Sequence, residues 1–157
     1  MSIDLDAVLF ILVSNIFFLI EPIVPFNDEV SVATLAEEFS AAWNRHDINA
    51  LMSFMSDDCV FHAAAGPDAC GVRHVGMGAV NVAFESAWLN FPNAQWINDR
   101  HFVHGNFGVS EWPFVGTALD GARVEADGGV DIFTFKNGKI QLKNACRKKR
   151  LHLPAAK

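Results

Sequence analysis

The chain has 157 residues, 51% of them apolar and 19% charged, with a net charge of −6 at neutral pH; that suits a single folded domain and excludes a disordered chain. Charge is unevenly spread: residues 136–157 hold eight of the twelve basic residues and no acid, so the preceding 135 residues carry −14. Such a body repels nucleic acid, and Arg147-Lys-Lys-Arg150 is more simply the solvated end of a strand than a nucleic-acid contact. Cys59, Cys70 and Cys146 form no CxxC pair and leave an odd count, which argues against a disulfide framework and for a reducing, cytoplasmic setting. Fourteen phenylalanines and four tryptophans stand beside no tyrosine, so chemistry that needs a phenol is excluded.

Residues 7–20 (AVLFILVSNIFFLI) are an apolar run closed by Glu21-Pro22. At fourteen residues the run is short of the ~20 that a bilayer span needs, and Asp4 and Asp6 oppose the cationic start of a signal peptide. Residues 1–27 are expected to be a helical extension that docks on the domain or on a partner. A membrane-proximal anchor, an atypical signal and an incorrectly assigned start codon are the alternatives. From Ser31, a possible N-cap, the positions Val32, Leu35, Phe39, Ala42 and Trp43 follow a helical stripe. Asp47 is expected to cap a second helix over 48–55, which Asp57-Asp58 ends, and 59–63 reads as a strand. Residues 71–76 form a short strand into a third helix, with Met77, Val80, Phe84, Trp88 and Phe91 on one face and Pro92 as its stop.

Strands dominate from there: about 95–104, 109–117, and two strands within 124–147 joined by Lys136-Asn-Gly-Lys139. Asn137-Gly138 is a strong hairpin signal, because both central residues of the favoured turn need φ > 0. Gly128-Gly129 marks a bulge. Helices first and an antiparallel meander afterwards predict an α+β domain with helices on one face of a curved sheet. A carboxylate opening the run Asp131-Ile-Phe-Thr-Phe135 is the anomaly. It is either desolvated for chemistry or turned to water.

Trp43-Asn-Arg-His-Asp47, Asp57-Asp58, Gly71-x4-Gly76, Glu111-Trp112, and Asp131-Ile-Phe-Thr-Phe135 with Gly138-Lys-Ile140, in that order, resemble the nuclear-transport-factor-2-like superfamily, and within it the SnoaL-like, polyketide cyclase-like group. The resemblance covers about residues 28–150 and leaves 151–157 as a tail. It implies a cone: a curved antiparallel or mixed sheet and three helices enclosing an apolar pocket, with a homodimer through the convex face. Ketosteroid isomerase keeps an oxyanion-hole aspartic acid where Asp131 stands, but its helix-one tyrosine falls at Phe39 and its base near Ala63. Scytalone-dehydratase-like chemistry loses its tyrosines, and limonene-epoxide-hydrolase-like chemistry loses an aspartate at about Ala145.

If Asp131 points inward, strand alternation takes Phe133, Phe135, Lys143, Ala145, Arg147, Trp112 and Phe114 with it. The predicted pocket is therefore Trp43, Phe61, Phe84, Trp88, Trp112, Phe114, Phe133, Lys143 and Arg147, with Asp131 and His62 as catalytic candidates and His104 as a weaker one. Asp131 could be neutral and donating, charged and paired to Lys143 or Arg147, or charged and acting as a base. No metal or cofactor is expected, since Cys59-x2-His62 and His101-x2-His104 put ligand types on opposite faces of a strand. The expected function is a cofactor-independent, cyclase-like lyase or isomerase acting on a small apolar molecule; the alternative is a non-catalytic dimeric module that binds a ligand or partner in the same cone.

Overall fold

The computed structural model describes residues 26–148; the apolar run at 7–20, with its predicted docking role, and the tail at 151–157 lie outside the described residues. Among the described residues, three helices, α1 (Phe26–Asn44), α2 (Ile48–Phe54) and α3 (Met77–Asn90), are interleaved with seven strands. The strands are β1 (Met55–His62), β2 (Arg73–Val75), β3 (Gln95–Trp96), β4 (Arg100–His104), β5 (Phe107–Thr117), β6 (Arg123–Lys136) and β7 (Lys139–Cys146). They form one strongly curled sheet in the order β2-β1-β7-β6-β5-β3, with β4 also paired to β5. All pairs are antiparallel except β1 with β7, so the sheet is mixed and the α+β cone is the architecture.

Local chemistry explains the boundaries. Helix α1 ends in a left-handed residue, His46 at φ 55°, and the amides of His46 and Asp47 close onto Trp43 O and Ala42 O, the usual way a helix satisfies its last carbonyls. The Asp47 carboxylate then accepts from the Ala50 amide at 3.0 Å and caps α2. Asn44 reaches across the domain: its side chain donates to Trp96 O at 2.7 Å and accepts from Trp96 N at 2.8 Å, which fixes α1 to β3. Trp43-Asn-Arg-His-Asp47 is thus largely fold chemistry. The predicted hairpin turn is present, with Asn137 and Gly138 at φ 51° and 70°.

Three boundaries differ from the sequence reading. Helix α1 begins at Phe26, so Ser31 is an interior helix residue and not a cap. Met55, Asp57 and Asp58 belong to β1; Asp58 accepts from Lys136 and Gln141 across the sheet, and this pairing outweighs the helix-stopping role that two consecutive aspartates suggest. The expected strand over 95–104 is two, separated by Asn98 at φ 49°.

The core lies on the concave side. Phe39 is 2% exposed and sits edge-on to Trp43, Phe54, Phe84 and Phe133, with centroids 5.9–6.2 Å apart, a geometry that favours aromatic pairs beyond the area they bury. A second cluster, Ala94, Trp112 and Phe114, joins the first through Trp88 and Trp96, which pack against both.

Candidate functional site

Alternation along β6 turns Asp131, Phe133 and Phe135 to the core, as predicted, and Trp112, Phe114, Lys143 and Ala145 are buried with them. Asp131 stands in register between Ser110 on β5 and Ala145 on β7. Its side chain is 8% exposed, and that of Lys143 is 5% exposed. Lys143 Nζ donates to Oδ1 at 2.6 Å and Trp112 Nε1 donates to Oδ2 at 3.0 Å. Both oxygens therefore act as acceptors toward groups that can only donate, the arrangement of an ionised carboxylate. The ammonium lies 5.0 Å from the Phe61 ring centre and 5.6 Å from that of Trp43, where ring faces offset part of its lost hydration.

The bulge explains how an indole reaches that carboxylate. Pairing of β5 with β6 slips between Trp112 and Phe114, next to Gly128 at φ 74°. Gly129, opposite Trp112, gives the indole its seat: a Cβ there would lie 2.1 Å from Trp112 Cζ3. The glycine pair thus positions a hydrogen-bond donor as well as bending the strand.

A second polar group crosses the same rung of the sheet, and the sequence reading did not find it. His101 pairs in register with Ser110; its Nδ1 lies 2.7 Å from Ser110 Oγ and its Nε2 3.2 Å from Asp99 Oδ2, which also accepts from Ser40 on α1. Ser110 is 4% exposed and the His101 side chain 10%. The Asp99 carboxylate can only accept, so Nε2 carries a proton toward it, while Nδ1 and the Ser110 hydroxyl share the second hydrogen bond. The result is a serine–histidine–aspartate chain one strand from Asp131.

The remaining candidates are distributed differently. Phe61 packs on Phe84, so alternation puts His62 on the other face of β1, apart from the Asp131 group. Its Nε2 is buried with no partner among the described residues, as are Trp43 Nε1 and Trp88 Nε1. Arg147 is exposed and does not pair with Asp131; its guanidinium lies 5.2 Å over Phe114, and desolvation there pushes its pKa down. Trp43, Phe84, Trp88, Trp112, Phe114 and Phe133 pack against one another as core. An open cleft of about 430 Å³ runs beside His62, Cys70, Asn144, Ala145 and Arg147. Cys59 is buried, which pushes its thiol pKa up and leaves it a poor nucleophile at neutral pH. No group of three or more metal-ligating side chains occurs among the described residues, and no described helix is long and apolar enough to cross a membrane.

A curled mixed sheet closed by three helices, with polar groups on its concave wall, defines an NTF2-like cone. The chain belongs to the SnoaL-like domain family, whose model matches residues 36–142. No protein of curated function matches the sequence. Among solved structures it is similar to an NTF2-like protein of unknown function from Mesorhizobium loti, at 23% identity and a TM-score of 0.65, covering 80% of this chain and 98% of that one. A candidate polyketide cyclase from Xanthomonas campestris pv. campestris aligns at 17% identity and a TM-score of 0.67, over 76% and 91% of the two chains. A cystatin-like-fold protein of unknown function from Xanthomonas campestris gives 19% and 0.66, over 75% and 91%. At these identities the likeness establishes the fold.

Proposed function

We infer that this SnoaL-like protein is a cofactor-independent, cyclase-like lyase or isomerase that acts on an apolar cyclic or polyketide-like molecule, with Asp131 as its acid/base. The observation that carries this reading is the Asp131–Lys143 pair, buried among aromatic rings. Replacing such a pair by apolar residues often costs a fold nothing, so its presence points to use. Ionised Asp131 would take a proton from an activated carbon and return it at another position. Lys143 and Trp112 would stabilise the carboxylate before and after. The indole N–H groups of Trp43 and Trp88, which have no partner among the described residues, would supply donors for a ligand oxygen on which charge develops. His62, on the other face of β1, takes no part in this step.

The second reading, a non-catalytic binding module, is favoured by one observation: the rings expected to line a pocket pack on each other. Either reading includes a homodimer through the convex face, where Phe102 is 67% and Phe107 46% exposed and Phe102, Val109 and Ile132 stand side by side in register. Three free cysteines suit a reducing, cytoplasmic setting.

Mass spectrometry of the denatured protein identifies any small molecule retained on purification, and that compound is then offered to wild type and Asp131→Asn. The reading expects turnover to fall ~10²-fold or more in the variant. Undiminished turnover removes Asp131 from the chemistry, and a compound that wild type binds but never turns over favours the module.

A further inference from the structure

We propose that the cleft at the end of β7 anchors a carboxylate, with the Arg147 guanidinium as its partner, and that the ligand is therefore a small apolar or aromatic acid. Lys143 occupies Asp131, so Arg147 is left with no hydrogen-bonded carboxylate among the described residues. None of the residues that line the cleft is acidic. With Asp131 and Lys143 cancelling each other, Arg147 leaves the local balance positive in a chain whose net charge is −6. A guanidinium held over an aromatic face presents its N–H edge outward, and that planar fork matches a carboxylate in a two-bond grip. The cleft, at about 430 Å³, falls within the ~300–1,000 Å³ typical of small-molecule sites. Ala145 borders both the cleft and the rung that holds Asp131, so an acid gripped at Arg147 would extend its apolar body toward the buried carboxylate.

This deepens the reading above by naming the ligand class, and rests on that reading only for what happens at the far end of the ligand. Isothermal titration of the full-length protein at pH 7 with 2-naphthoate and with neutral 2-naphthalenemethanol tests it. Naphthoate is expected to bind at least tenfold tighter than the alcohol. Arg147→Gln should weaken naphthoate at least tenfold and leave the alcohol unchanged, with Arg147→Lys in between because an ammonium keeps the charge without the fork. Urea midpoints check that these exposed substitutions leave the fold intact. Absent naphthoate binding, equal affinity for the two probes, or unchanged naphthoate affinity in Arg147→Gln each overturns the proposal. No turnover is measured, so failure of Asp131 as a base leaves this result standing, while an Asp131-dependent reaction on a ligand that ignores Arg147 sinks the anchor alone.

Discussion

Asp131 and Lys143 make sense only together. Either one alone is a charge held in an aromatic interior, so Asp131→Asn or Lys143→Met should each destabilise the fold by about 3–5 kcal/mol, while the double variant recovers most of that loss. Urea unfolding of the four proteins measures it, and additive losses would mean that the pair is not coupled. Much of this residue-level picture was legible from a period of two: once Asp131 is turned inward, Phe133, Lys143, Ala145, Trp112 and Phe114 follow. Which cation pairs with Asp131 was not legible, because Lys143 and Arg147 share a face and only the curl of the sheet decides between them. His101 was missed for a related reason. Its partner Ser110 carries no mark in the sequence, and a strand drawn unbroken over 95–104 hides the register that joins them.

At the scale of elements, glycines and turns set the geometry of the site. Gly129→Ala should push the Trp112 indole off the sheet, costing about 1–3 kcal/mol by overpacking and shifting the Trp112 Nε1–H proton resonance as its bond to Asp131 is lost; an unmoved resonance would contradict the role given to the bulge. The first half of β1 has a pH signature. Ser56, Gln141 and Lys136 hold the Asp58 carboxyl well below the usual carboxylate range. A pKa lowered by folding stabilises above the unfolded value of about 4 and loses that contribution as pH falls below it. Asp58→Asn should accordingly flatten the acid limb of the stability–pH curve below pH ~4 and leave its slope near neutrality unchanged. An identical acid limb would show that the contacts of Asp58 do not persist in solution. The hairpin turn and the α2 cap were plain in the sequence because each rests on two or three adjacent residues. The β1 boundary was not, since the cross-sheet partners of Asp58 lie 78 and 83 positions away.

The described residues form a cone whose concave wall holds the buried Asp131–Lys143 pair and whose convex wall exposes Phe102 and Phe107. Phe102→Asp with Phe107→Asp should convert a dimer to a monomer in sedimentation velocity, and a monomeric wild type would remove the homodimer from the account. The fold was legible because helices first and a meander afterwards permit few arrangements; the activity was not, because the same cone accepts many sets of wall residues. The central claim is that Asp131 is an ionised, paired carboxylate able to act as a base. Carbon-13 NMR of protein labelled at aspartate Cγ, with Asp131→Asn to assign the signal, tests it most directly. The account predicts a carboxylate resonance for Asp131 at pH 7 that moves in Lys143→Met. A neutral carboxyl resonance at pH 7 would contradict it and return Asp131 to the role of a hydrogen-bond donor.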